Sequence, residues 1–194
     1  MIHVIGDSHC LYTFREIEDV SAYHIGPVTM KRVGYLEDSL LADTVREIPI
    51  GSGDVVLLSF GEIDMRCWVK VHLVRHDLYF LLTRWVRRYL HRVMTLPTGV
   101  AKVGILSVPP PMPRERCQSA EFPVAGTDEE RAEYTRVANK LLAEGCKERG
   151  LLYVDVYSRY ADAAGMLKVE MSDKIVHILD TRHVPECLAA AGAR

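Results

Sequence analysis

A serine close to the amino terminus has the surroundings that a nucleophile requires. Ser8 stands in the run Gly6-Asp7-Ser8-His9, directly after a short apolar segment and before a stretch with helical apolar spacing. Its hydroxyl is therefore predicted at a strand-to-helix turn, where the helix N-terminus would stabilise an oxyanion. Ser8 is a candidate nucleophile; the alternative is a plain turn in which Asp7 or Ser8 caps the helix.

Two pairs of aspartate and histidine near the carboxyl terminus could activate such a serine. Asp173 precedes His177 by four residues, and Asp180 precedes His183 by three. In either pair the histidine would take the serine proton and the aspartate would orient the histidine. Asp180 is also the predicted N-cap of a closing helix, and His183 would lie at the positive end of that helix, where its protonation is disfavoured. We therefore favour Asp173 and His177.

A further group of polar residues follows an apolar run in the first half of the chain, in Gly61-Glu62-Ile63-Asp64-Met65-Arg66. Glu62 and Arg66 are four residues apart, so they would share one face of a helix that begins early. They would then form an ion pair or contact a substrate. The spacing leaves both interpretations open.

The elements that must position these residues alternate between strands and helices. Short apolar runs bounded by turn residues predict buried parallel strands over residues 1–5, 54–60, 101–108 and 151–156, and a weaker fifth strand over 22–25. Helices are predicted from about residue 68 to 94, from 128 to 149 and from about 180 to 191, the second of them opening on a capping box of Thr127 and Glu130. Asp180 would cap the third helix, but Pro185 sits late for its first turn, so a start nearer Arg182 or Val184 is the alternative. This alternation predicts an α/β fold: a three-layer α/β/α sandwich with a parallel sheet of about five strands.

Length and composition indicate one domain of an ordinary globular protein. The chain has 194 residues, 48% of them hydrophobic, with 24 basic and 26 acidic side chains, so no nucleic-acid partner is expected. The five scattered cysteines suggest neither a disulfide framework nor a zinc site. No apolar run reaches the ~20 residues that span a bilayer, and no room for a signal peptide precedes the first motif. We expect a cytoplasmic protein without a membrane partner.

These blocks, in this order, resemble the SGNH/GDSL hydrolase family over nearly the whole chain. Gly6-Asp7-Ser8 matches the first block of the family, residues 61–64 occupy the place of its Gly-x-Asn-Asp block, and residues 173–178 are similar to its acid and histidine block. The resemblance implies a flavodoxin-like fold with Ser8, His177 and Asp173 as a catalytic triad. The spacing of Asp180 and His183 is the commoner one in the family, but the helix that follows favours His177.

Residues 59–67 are similar to a branch of the family in which Gly-Glu-Ile-Asp-x-Arg replaces the usual block. Ile63 then stands where the family has the asparagine that donates to the oxyanion, and an isoleucine side chain has no donor. Backbone N–H groups would hold the oxyanion, or Arg66 would supply the missing positive charge. The resemblance suggests Gly26 as the second backbone donor, with Gly34 as the runner-up and a simple turn glycine as the alternative.

The resemblance implies that the protein is a serine esterase or acyl hydrolase of the carboxylesterase or deacetylase type. It would act through an acyl-enzyme on Ser8, on a small or carbohydrate-like ester, without a metal or organic cofactor. Two alternatives are an acyltransferase or tailoring enzyme that uses the same serine, and a non-catalytic binding module that keeps the fold. The acyl group, the alcohol and the oligomeric state stay open.

Overall fold

The central sheet has the predicted parallel topology. A computed structural model describes residues 1–35, 39–99 and 101–194. Across these residues the chain forms five parallel strands in the order β2-β1-β3-β4-β5. The strands are β1 (Ile2–Gly6), β2 (Val20–His24), β3 (Val55–Ser59), β4 (Lys102–Leu106) and β5 (Leu152–Val154). The weaker fifth prediction is therefore confirmed as the edge strand β2, and the predicted runs over 54–60, 101–108 and 151–156 extend past the strands into loops.

Helices cover both faces of this sheet. They are α1 (Ser8–Phe14), α2 (Met30–Tyr35), α3 (Leu40–Glu47), α4 (Val69–His72), α5 (Leu78–Val93), α6 (Arg114–Cys117), α7 (Asp128–Arg149), α8 (Tyr157–Tyr160) and α9 (Val184–Ala190). Side chains alternate along each strand, so β3 directs Val56 and Leu58 towards α2, α3, α5 and α7, and Val55 and Leu57 towards α1, α8 and α9. Two buried clusters result, one on each face. The three-layer α/β/α sandwich is confirmed.

The predicted helix over residues 68–94 is wrong in its middle. The chain forms a π-helical turn (Asp64–Trp68), then α4, then a 3₁₀ turn (Leu73–Arg75), and His76 has extended backbone angles. A new helix, α5, begins after Asp77, whose side chain accepts the N–H of Phe80 at 3.0 Å. The capping hydrogen bond of Asp77 therefore starts a new helix at a point where the apolar periodicity alone predicts a continuous one.

The two other predicted helices differ in outcome. Helix α7 has the predicted bounds, and its capping box is confirmed: Thr127 Oγ1 accepts the N–H of Glu130, and the Glu130 carboxylate accepts the N–H of Thr127. For the closing helix the predicted cap Asp180 is wrong, whereas the later start that Pro185 favours is confirmed. Asp180 instead pairs with Arg182, and α9 begins at Val184. No helix among the described residues is long and apolar enough to span a membrane.

Candidate active site

Three of the predicted side chains form one hydrogen-bonded chain at the carboxyl edge of the sheet. Ser8, the first residue of α1, places Oγ 2.8 Å from Nε2 of His177. Nδ1 of His177 lies 2.6 Å from Oδ2 of Asp173. A nucleophile, a base and an acid that orients the base have this arrangement in acyl-transfer sites.

The carboxylate of Asp173 holds the loop that follows it by accepting backbone hydrogen bonds. Oδ1 accepts the backbone N–H groups of Ile175, Val176 and His177 at 2.8, 2.9 and 3.0 Å, which leaves Oδ2 for the imidazole. Lys174 takes a positive φ of 66° to complete the turn. Burial opposes ionisation, but the hydrogen bonds from His177 and from the backbone outweigh it and hold the pKa of Asp173 below its usual range.

The alternative pair has no contact with the serine. Oδ2 of Asp180 lies 2.6 Å from Nη2 of Arg182. The His183 N–H donates to the hydroxyl of Tyr160 at 3.3 Å, and the His183 ring lies edge-on to the Tyr160 ring. The structure thus brings Asp173 and His177, and not Asp180 and His183, to Ser8.

Two rings of α1 hold the His177 imidazole from its sides. Tyr12 stacks on it with the ring centres 4.0 Å apart and the planes 12° apart. The His9 ring lies 4.8 Å away at 53°. Burial and the positive charge of His9 lower the pKa of His177, while the bond to Asp173 opposes that shift. The imidazole is therefore held in one orientation and kept neutral to lower pH than a free histidine.

His9 belongs to a buried cluster that the sequence analysis missed. Glu62 accepts two bonds from Arg66, from Nε at 2.8 Å and from Nη2 at 3.0 Å, which is the ion pair that the four-residue spacing allows. On the other side of Glu62, the Nε2 atom of His9 lies 3.6 Å from Oε2. Burial disfavours the charged carboxylate, yet the contact with His9 and the charge of Arg66 lower the pKa of Glu62 to about 2. The only sequence signal for this role of His9 was its place directly after Ser8.

Two further buried carboxyls of the motifs cap helices. Asp7 Oδ1 accepts the N–H of His9 at the start of α1, and burial raises the pKa of Asp7 to about 6. The carboxylate of Asp64 reaches the first turn of α2, where it accepts the N–H groups of Met30 at 2.6 Å and Lys31 at 3.2 Å. Burial raises the pKa of Asp64 to about 7 against those bonds. The two acids thus fix the first turns of α1 and α2.

A cavity of about 350 Å³ opens over the serine, and Ser8, His177, Ile63 and Arg66 line it. Gly26 lies in the loop after β2, next to Pro27, which also lines the cavity. Its φ of +88° favours glycine, and a Cβ there would contact nothing within 4 Å, so backbone conformation and not crowding explains the residue.

The runner-up, Gly34, has a packing role that explains it. It lies within α2, and a Cβ there would lie 2.8 Å from the backbone nitrogen of Tyr89 in α5. Gly34 therefore permits the close approach of two helices and is not a candidate oxyanion donor. Among the described residues, no group of three or more His, Cys, Asp or Glu side chains could hold a metal ion.

Comparison with known proteins shows the fold. No protein-family model matches the sequence, and no curated protein matches it significantly. A GDSL-like lipase from Bacteroides thetaiotaomicron superposes with a TM-score of 0.61 at 11% identity, over 99% of this chain and 86% of the lipase. A lipolytic protein of the G-D-S-L family from Veillonella parvula gives 0.57 at 13% identity, over 100% and 98%. The OSK domain of Drosophila Oskar gives 0.60 at 10% identity, over 97% and 86%. The chain therefore has the SGNH/GDSL hydrolase fold, and the Gly-Glu-Ile-Asp-x-Arg branch stays a prediction.

Proposed function

We propose that this protein is a serine hydrolase that cleaves an ester through an acyl-enzyme on Ser8. The observation that carries the proposal is the continuous chain from Ser8 Oγ through the His177 ring to Asp173, with separations of 2.8 and 2.6 Å. The fold shared with proteins described as a lipase and as lipolytic adds support.

In the first half of the reaction, Oγ of Ser8 attacks the ester carbonyl carbon while Nε2 of His177 takes the hydroxyl proton. The resulting tetrahedral intermediate collapses: the bond from carbon to the alcohol oxygen breaks, and His177 gives its proton to that oxygen. The alcohol leaves, and the acyl group stays on Ser8. Asp173 keeps the Nδ1 proton of His177 in place and stabilises the imidazolium.

In the second half, water replaces the alcohol. His177 takes a proton from the water as its oxygen attacks the acyl carbon, and it returns that proton to Oγ when the bond to Ser8 breaks. The carboxylic acid is released and the serine is restored. An acyltransferase would follow the same steps with a different acceptor in place of water.

We assign the oxyanion to the backbone N–H groups of Ser8 and Gly26. Ser8 is the first residue of α1, so its N–H has no partner within the helix. Two nitrogens of Arg66 are engaged by Glu62, so we propose that Arg66 supports the cavity wall and that backbone donors carry the negative charge. The partner is then a small-molecule ester, and no cofactor takes part. The five cysteines are buried free thiols, which suits the reducing cytoplasm that we propose as its compartment.

A fluorophosphonate probe and a short aryl ester test this proposal without knowledge of the natural substrate. We expect one adduct by intact mass, located on Ser8 by peptide mapping and lost in Ser8→Ala. His177→Ala is expected to lower turnover by several orders of magnitude, since it removes the base, whereas His183→Ala serves as the matched control and retains most activity. Absence of any adduct on folded protein would indicate a binding module. Labelling without hydrolysis until an acceptor alcohol is added would indicate an acyltransferase.

A further inference from the structure

A second and larger cavity, of about 690 Å³, adjoins the cavity over Ser8. The two share a wall made of Pro27, Ile63, Glu121 and Phe122. Most of the surface that lines the larger cavity is apolar, and the exposed side chain of Trp68 contributes to it. An apolar group bound there would therefore extend directly from a carbonyl held at Ser8.

The chemistry of the leaving group decides which half of the ester this cavity would take. The alcohol oxygen must reach Nε2 of His177 to receive its proton, so the alcohol lies on the His177 side. Ile175, Val176 and His177 line the smaller cavity, but no residue of their loop lines the larger one. The larger cavity is bounded instead by the loop after Gly26 and by the turn at Ile63. It lies on the acyl side.

A lysine that has no acidic partner among the described residues lines the larger cavity. Lys31 lines this cavity and not the smaller one. Its Nζ lies 2.8 Å from Nε2 of His72 and 5.4 Å from the ring centre of Trp85. Burial and the charge of Lys31 lower the pKa of His72, so both neighbours are neutral. Among the described residues no carboxylate lies within ion-pair distance of Nζ, and Asp64 directs its oxygens at backbone N–H groups.

The charged residues that line the larger cavity differ in sign. Glu121 stands at the wall shared with the Ser8 cavity and would repel an anion bound close to the serine. Lys31 and Arg32 line the larger cavity and not the cavity over Ser8, so an anion bound away from the serine would be attracted. A ligand that fits these charges has an uncharged segment near Ser8 and a negative charge in the larger cavity.

We propose that the larger cavity is an acyl subsite for a chain with an apolar body and a terminal carboxylate, as in the half-ester of a dicarboxylic acid. This inference rests on the proposed function, because it takes Ser8 as the point at which the acyl group is attached. The ammonium of Lys31 would pair with the carboxylate, and Trp68, Ile63 and Phe122 would cover the methylene groups between the carboxylate and Ser8.

Three p-nitrophenyl esters test the subsite: the acetate, the octanoate and the half-ester of octanedioic acid. The last two have equal chain lengths and differ in the terminal charge. We expect the wild-type kcat/KM to be highest for the half-ester. Lys31→Met is expected to lower the ratio of half-ester to octanoate kcat/KM about tenfold, since a lost ion pair worth about 1.4 kcal/mol changes an equilibrium by that factor. Lys31→Arg restores the ratio, and Lys140→Met, which removes an exposed lysine of α7, leaves it unchanged.

A second measurement needs no variant and covers the case in which Lys31→Met fails to fold. Added salt should lower the wild-type kcat/KM for the half-ester and leave that for the octanoate unchanged, because screening acts on the charged chain alone. A wild-type preference for octanoate, equal salt dependence, or an unchanged ratio in folded Lys31→Met would overturn the subsite while acetate hydrolysis and labelling of Ser8 still support the esterase. Failure of all three esters together with no labelling would overturn both.

Discussion

His9 lies between His177 and the ion pair of Glu62 with Arg66, and we expect its charge to set the pH at which His177 can act as a base. Burial disfavours a charged His9, but the contact with Glu62 and the charge of Asp7 outweigh it and raise the pKa of His9. His177 has the opposite shift, and the charge of His9 contributes to it. Protonation of the pair therefore takes place first at the His9 ring, and the His177 ring stays neutral.

The perturbation is His9→Gln, which removes the charge and keeps a polar side chain at the buried position. Two unit charges 4.8 Å apart repel by about 3.5 kcal/mol at an effective dielectric constant of about 20, which corresponds to about 2.5 pH units. Glu62 offsets part of this repulsion, because its carboxylate lies 3.6 Å from the His9 ring. We therefore expect His9→Gln to raise the pKa of His177 by about 1 pH unit, and by about 2.5 pH units at most.

The assay is the pH profile of kcat/KM on a short aryl ester. His177 must be neutral to take the serine proton, so activity rises as the pH passes upward through its pKa. The other groups that face His177 are Ser8, Asp173, Tyr12 and Glu62, and all of them are retained in the variant. The acidic limb of His9→Gln should therefore move to higher pH. A limb that stays in place, or moves to lower pH, in folded protein would refute an electrostatic role of His9.

Three further predictions concern the other acids and Arg66. Asp173→Asn should lower kcat on an aryl ester by about four orders of magnitude with little change in folding, because the amide favours the wrong tautomer of His177; retained activity would contradict the assignment. Arg66→Met should lower the free energy of unfolding in urea by about 3–5 kcal/mol, because the carboxylate of Glu62 stays buried without its partner; an unchanged midpoint would show that solvent reaches Glu62. The pKa of Asp64 is raised in the folded protein, so its contribution to stability is present below pH 4 and is lost as the pH rises through about 7. Asp64→Asn should remove that component, seen as a smaller difference in unfolding free energy between pH 5 and pH 8, and an unchanged difference would refute it.

The strands and the long helix α7 could be predicted because their signals are local. Apolar runs bounded by turn residues need no knowledge of distant partners, and the capping box of Thr127 and Glu130 joins residues three apart. The order of the motifs also predicted which residues come together at Ser8. The short helices α2 and α3 lack such signals: they have six and eight residues, and tertiary packing supports them.

The side-chain roles at the site were harder to predict, because they depend on contacts between distant segments. Helix position favours His177 over His183, but the predicted capping of that helix by Asp180 is wrong, since Asp180 pairs with Arg182 instead. What selects Asp173 is its loop, where three backbone N–H groups bind one carboxylate oxygen and direct the other at His177. The link from Asp64 to α2 joins residues more than thirty apart and left no pattern in the sequence.

The first two motifs meet because β1 and β3 are neighbours in the sheet. Their parallel register sets Gly6 beside Ser59, and a Cβ at Gly6 would lie 2.2 Å from the Ser59 carbonyl oxygen, so the glycine is required for the strands to approach. Strands β1 and β3 therefore end at the same edge of the sheet, where β1 leads to Ser8 and β3 leads to Glu62. Of the acids that follow, Asp7 and Asp64 bind helix N-termini and Glu62 binds Arg66. The motif acids hold the nucleophile and its base in place, which is why we expect their substitution to alter stability and pH dependence, whereas the substitution of Ser8 removes the chemistry alone.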